Sequence, residues 1–512
     1  MRTDSRDRIS TLFRPVPWLI TPIGSAIFCL VGWLISLVGF KLPLEFGYSW
    51  IGIYLILLCI QIERPWLNVI PFPPLTTLVL TLSLRWITGG TLLQFTHPII
   101  EGDVIASHIN QSIPLLIFPC TGIVLANWLV NKTYIKNKPP SDFLSANGES
   151  ARQFKQYILA ITIATGIVAV GYILAGTIGG SLDRGESYLR WAGKFWRPDT
   201  LFSAVIRLRD IFYVCLPLTV YLFRRNMLIL ALLIIPSTTT LVISSALGGR
   251  GLLLYPLVLM LGGLWLAGIK PKAFKWLILV AIIFSIFFIT FAAQLRQSSE
   301  FRATSSLDLA ERARVIAEKA TSTSIQNSIP NPRNLGFALY THSDPYLFVE
   351  PTISSKPAGN KRLENLKYLW VPRVIMENRP EINDGHLIAN EIRNESELYM
   401  HDGRYVTFHN VSFGGDLYWR YRWPGVILGS VLVGVAYSFV CRIWYSYASL
   451  NGSCILLLVT LFPTTFFQGV PLRSISETAW NWFYEFPKYA VILLALGFII
   501  DKVYECNKKY SS

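Results

Sequence analysis

The sequence predicts an all-α polytopic membrane protein, with about twelve transmembrane helices and one large external loop domain between the ninth and tenth. Three observations carry that expectation. Of the 512 residues, 52% are apolar and only 15% charged, and mean hydropathy is +0.43, whereas soluble domains run near a quarter charged. Apolar windows long enough for a bilayer core recur about twelve times, on both sides of the hydrophilic 295–423 segment. The lysines and arginines load alternate connections, as the positive-inside rule requires.

The expected spans lie near 17–40, 45–62, 66–87, 113–131, 156–178, 206–223, 227–247, 251–269, 274–294, 424–445, 453–471 and 487–501. The third is interrupted by Pro71, Pro73 and Pro74, and the sixth carries Arg207, Arg209 and Asp210. Proline is tolerated in such helices where neighbours satisfy the freed carbonyls. The first span is too long, and lacks the small-residue pattern, for a cleaved signal. Residues 1–294 thus form spans one to nine, 295–423 the external cap, and 424–512 spans ten to twelve with a short cytoplasmic tail.

Sidedness follows from charge. One set of connections, from the amino-terminal segment through 132–155 and 270–275 to the carboxy-terminal segment, holds 19 basic and seven acidic residues, a net of +12. The remaining 27 basic and 24 acidic residues leave +3 on the other side. The first set is cytoplasmic by the positive-inside rule, and an even span count puts both termini there. The overall +15, which in a soluble protein would point to nucleic acid, therefore reports orientation and implies no nucleic-acid partner. All six histidines fall on the outer side with the 295–423 segment. Within it, 306–320 reads as an amphipathic helix with Ser305 or Ser306 as N-cap, and 364–376 is apolar enough for the membrane interface. Glu391, Glu395 and Glu397 read as a solvated helix face. The seven cysteines include no CxxC pair, so neither a zinc module nor a disulfide framework is expected.

Chemistry-bearing residues are few. Arg250 sits in Gly-Gly-Arg-Gly (248–251) between two apolar spans, on the outer side. An arginine at membrane depth is expensive and usually paired with an anion, and its planar fork suits phosphate oxygens. Snorkelling to lipid headgroups is the ordinary alternative. Arg296 follows the ninth span, and Arg207 and Arg209 stand at the mouth of the sixth. These either join Arg250 around one anionic group or serve as anchors, with Asp210 an internal partner for the last two. His409 precedes Asp416 and the tenth span, and an imidazole is a natural general base for a sugar hydroxyl. No HExxH, Walker loop or nucleophile elbow occurs. An ATP-driven pump is thereby disfavoured, and no cofactor or metal is expected.

These residues fall in a recognisable order. An outward Gly-Arg-Gly is followed by Arg296, then by the large loop with Trp370-Val371-Pro372-Arg373-Val374, Arg379-Pro380 and His409-Asn410. The loop ends in Gly414-Gly415-Asp416-Leu417-Tyr418-Trp419-Arg420-Tyr421-Arg422-Trp423-Pro424-Gly425. This pattern resembles the bacterial O-antigen polymerase and ligase superfamily, polytopic glycosyltransferases of the GT-C type. It is most similar to the polymerases of surface and exopolysaccharide repeat units. The likeness covers roughly 230–435 in pattern and the rest through span count. Gly249 stands where many members have serine, and Arg379-Pro380 where they have Lys-Pro.

The resemblance implies a protein of the bacterial inner membrane whose outer cavity takes polyprenyl-diphosphate-linked oligosaccharides without nucleotide sugar or metal. By the same resemblance Arg250, Arg296 and Arg373 bind the diphosphate, and Arg250 and His409 act in catalysis. Arg207, Arg209 and Asp416 are accessory candidates. A chain-length regulator and a flippase of the same pathway are the implied partners. A ligase of the same superfamily, and a lipid-linked sugar flippase, are the alternative readings.

Overall fold

The computed structural model describes residues 16–40, 46–82 except 69, 104–136, 149–178, 208–246, 250–267, 273–283, 343–349, 357–371, 385–393, 411–448 and 473–487. Isolated positions within 89–93, 311–318, 375–382 and 400–405, with 336 and 491, complete the set. The described residues are almost wholly helical. Besides short turns, they include a two-residue antiparallel ladder that pairs Met400 with Tyr405 and His401 with Arg404.

The helices are α1 (Pro22–Val38), α2 (Gly47–Ile62), α3 (Pro74–Leu82), α4 (Val104–Lys136), α5 (Glu149–Ile178), α6 (Leu208–Leu222), α7 (Met227–Ala246) and α8 (Arg250–Leu266). There follow α9 (Ala273–Ile283), then α10 (Gly385–Arg393), α11 (Phe413–Ala448) and α12 (Ile475–Trp480). Stretches within α4, α5 and α11 (Gln111–Thr133, Lys155–Tyr172 and Phe413–Ser446) are long and apolar enough to cross a membrane, and shorter apolar helices accompany them. The chain is therefore a mostly helical protein suited to a membrane. The eleventh and twelfth expected spans, 453–471 and 487–501, lie essentially outside the described residues.

Helix faces explain the arrangement. On α11 the residues Val426, Ser430, Val433, Tyr437, Cys441 and Trp444 are buried, spaced three and four apart as one helix face. On its other face Leu428, Leu432, Val435, Phe439 and Ile443 are exposed. A continuous apolar stripe of this length is unsuited to water and fits acyl chains. On α1 the exposed positions Ile23, Ile27, Leu30, Leu34 and Val38 repeat the pattern.

The most extensive helix pairing is α4 against α11. In an apolar solvent such pairs gain little from the hydrophobic effect, so they rely on close backbone approach at small residues. A Cβ on Gly122 would collide with the Ser430 carbonyl, one on Gly434 with the Gly122 carbonyl, and one on Gly414 with the Leu115 carbonyl. Leu115 meets the start of α11 and Asn127 meets Tyr445 near its end, so the two helices run in the same direction. Beyond this pair, α5 packs on α6 and α6 on α8, and α2 lies against α1 and α4.

Each end of the α4–α11 pair carries its own polar lock. At one end Glu63 accepts Leu75 N–H (2.9 Å), Thr76 N–H (2.7 Å), the Thr76 hydroxyl (2.8 Å) and the Tyr445 hydroxyl (2.6 Å). It thereby caps the amino-terminal turn of α3, whose first amides lack intrahelical partners. Asn127 donates to the Tyr445 hydroxyl (3.3 Å), and Asn131 to Asn127 Oδ1 (2.5 Å) and the Ser438 carbonyl (2.7 Å). The other end is the head of α11.

Candidate functional site

The head of α11 is built by its own cap. The Ser412 hydroxyl accepts Gly415 N–H at 2.9 Å, and the Ser412 carbonyl accepts Asp416 N–H at 2.8 Å. An N-cap serine with an aspartate in the first turn satisfies orphan amides and complements the helix dipole. Asp416 then faces Arg420 one turn on. Its Oδ1 accepts Arg420 Nε at 2.7 Å, and both side chains are fully buried. Asp416 Oδ2 accepts the amide of Ile475, the first residue of α12, at 2.9 Å.

Arg420 reaches in the other direction, donating through Nη1 to the Gly359 carbonyl (3.1 Å) and the Lys361 carbonyl. Two backbone bonds reinforce that contact, Ala358 N–H to Trp419 O and Gly359 N–H to Arg420 O, each 3.2 Å. The turn so held is tight: Gly359 and Arg362 have φ of 57° and 65°. Lys361 and Arg362 both bond Glu391 on α10, at 2.8 and 2.5 Å. Just before α12, Arg473 donates through Nη1 to Glu477 Oε1 of that helix at 2.9 Å. One buried ion pair therefore fastens residues 357–362 and α12 onto the head of α11.

Beside it lies an aromatic face. Arg379 is buried, donates to the Val371 carbonyl at 2.6 Å, and lies 5.7 Å from the centre of the Trp480 ring. Trp480 stacks on Tyr484 at 4.2 Å, and Tyr484 meets Trp370 at 6.3 Å. Trp370 is 63% exposed and Phe483 54%. Such rings can cover the apolar face of a sugar or lie among lipid headgroups.

The sequence-expected residues divide as follows. Arg250 is the first residue of α8, and only its backbone position is described. Arg207, Arg296, Arg373 and His409 lie outside the described residues. Asp416 is a buried member of the α11 lock. Arg209 pairs with its neighbour Asp210 (Nε to Oδ1, 3.4 Å) and stacks on Tyr172 with Cζ 4.3 Å from the ring centre. Its charge is thus balanced within the helices, the internal pairing weighed for it from sequence. Of the expected external helix at 306–320, the described positions are helical, with Arg314 bonding Glu311 (2.6 Å) and Glu318 (3.1 Å). Glu391 is engaged by two cations rather than merely solvated.

Sequence reasoning missed Asp344, Arg420, Arg473 and Glu477. The Asp416–Arg420 and Arg473–Glu477 spacings of four residues are the signal that could have found two of these pairs. Among the described residues no group of three or more His, Cys, Asp and Glu side chains is placed to hold a metal ion. No family model, characterised protein or solved structure matches the chain.

Proposed function

We propose that the protein is a polysaccharide repeat-unit polymerase of the bacterial inner membrane. It transfers a growing glycan from polyprenyl diphosphate to the non-reducing end of a lipid-linked acceptor unit, on the outer face. The reading takes twelve spans, cytoplasmic termini and a periplasmic cap over 295–423, and it needs no cofactor.

The observation that carries it is the end of the bundle at which Arg250 stands. Trp265, near the far end of α8, donates to the Leu67 carbonyl at 2.8 Å, close to the Glu63 lock. The 17 residues of α8 span about 25 Å. Arg250 is thereby carried to the opposite end, where the α11 lock fastens the polar segments. Other contacts support the same sidedness. Glu63 with Tyr445 and Asn127 joins connections that charge assigns to the cytoplasm. Leu93 against Gly336, and Asp416 with Ile475, join connections assigned to the outside.

The chemistry follows from the charges. A diphosphate leaves readily only if its developing charge is stabilised, and fixed arginines in a water-poor cavity do that. In this reading Arg250, Arg296 and Arg373 hold the diphosphate. The acceptor hydroxyl attacks the anomeric carbon opposite the departing group, inverting configuration. His409 takes the hydroxyl proton, a contribution of roughly 10²–10⁴-fold. The cap excludes the water that would hydrolyse the donor.

Replacing Arg250 with alanine is expected to abolish chain extension while the protein still accumulates in the membrane, leaving single repeat units on the carrier. Polymer of normal length from a stably inserted Arg250→Ala protein would remove Arg250 from the site.

A further inference from the structure

Asp344 begins the 3-10 turn Asp344–Phe348 and has no exposed surface. Its Oδ1 accepts the amide of Ser412, the N-cap of α11, at 2.8 Å. Its Oδ2 has no hydrogen-bond partner among the described residues, and no described cation pairs with it. Gly415 lies so close that a Cβ there would collide with Oδ1. Asp416 nearby is provided for quite differently, with a guanidinium on one oxygen and an amide on the other.

Two buried carboxyls thus share one junction, and only one has the partners that a charge requires. A buried carboxylate with a bare oxygen carries a desolvation penalty, which protonation removes. The elements packed on the turn are α4, α10 and α11. Of their described titratable and charged groups, His108 bonds Gln111, Glu391 is taken by Lys361 and Arg362, and Arg420 is committed to Asp416 and two carbonyls.

We propose that Asp344 is a positioning residue held as the neutral acid, so that the turn 343–349 docks on the head of α11 with uptake of a proton. Resting on the reading above, in which this junction faces outward, the pH outside the membrane sets how much of the protein carries a complete junction at the head of α11. Burial raises the Asp344 carboxyl from 3.8 to about 7, the Ser412 hydrogen bonds oppose the rise, and Asp416 adds to it. The sign follows from the raised value. Docking is fully supported below about 4 and loses that support as pH climbs through about 7. Between pH 6 and pH 8 the docking equilibrium should fall by about tenfold.

The test uses the full-length protein in nanodiscs of uncharged lipid. Cleavage within 349–357 by a broad-specificity protease is measured from pH 6 to pH 8, as the ratio of wild type to Asp344→Asn at each pH. The ratio cancels the protease's own pH response, and cleavage of the open form tracks its equilibrium population. The amide keeps the Oδ1 acceptor and never ionises, so the ratio should rise about tenfold across the range. A flat ratio overturns the proposal. So does an Asp344→Asn protein that fails to fold while wild type is stable, because the amide imitates the neutral acid. Polymer formation is not the readout, so failure of the glycosyltransferase reading would register separately.

Discussion

Arg420 makes the strongest case for reading this molecule one side chain at a time. Its guanidinium is out of water, paired with Asp416, and spends Nη1 on two backbone carbonyls of the 357–362 turn. Removing one partner of a buried pair leaves a bare charge, which typically costs about 3–5 kcal/mol. Arg420→Ala is therefore expected to lower unfolding stability by that amount and to free residues 357–362, as read by thermal unfolding and protease susceptibility. Lysine should rescue little, because an ammonium lacks the fork that spans carboxylate and carbonyls together. The helical spacing of Asp416 and Arg420 was legible in sequence. That Arg420 also grips a turn 59 to 61 residues earlier was not, because nothing local encodes a side chain's distant carbonyl partners.

Where a described helix meets an expected span, hydropathy misjudged its ends. The tenth span was expected from 424, yet α11 starts at Phe413 and passes through Arg422, whose φ of 60° and ψ of −159° mark a kink two residues ahead of Pro424. A proline lacks an N–H and crowds the preceding turn, so it bends a helix there. The polar turns before it remain helical because Ser412 caps them. Likewise α4 runs from Val104 to Lys136 through Pro114 and Pro119, well beyond the expected 113–131. An apolar window registers only the stretch that suits acyl chains, and the polar ends of a helix escape it. The third span fared differently: among the described residues a short helical turn ends at Leu67 and a second helix runs over Pro74–Leu82, beginning at a proline as first-turn positions allow. At this scale the α4–α11 contact is the sensitive one. Gly414→Ala places a methyl group against the Leu115 carbonyl and should cost about 1–3 kcal/mol through forced separation of the helices. The loss is checked by the thermal midpoint of the purified protein.

Across the whole molecule, two polar locks mark the two ends of the α4–α11 pair. Glu63, Tyr445 and Asn127 meet at one end, and residues 357–362 and α12 fasten at the other around Asp416 and Arg420. Composition made a membrane protein legible at once, because a chain with 15% charged residues cannot clothe a water-soluble surface of this size. The candidate chemistry was legible only as an order of short motifs. The junction at the head of α11 was not, since Asp344, Asp416 and Glu477 lie far apart in sequence and converge only through the fold.

In the proposed function, this end of the bundle forms glycosidic bonds. The direct measurement is reconstitution of the purified protein into liposomes with lipid-linked repeat units, followed by mass analysis of the glycans. Polyprenyl-diphosphate chains of two or more units with inverted linkages are expected, formed without nucleotide or metal and absent with Arg250→Ala. Repeat units that cross the bilayer while no new glycosidic bond forms would contradict it and make the protein a carrier.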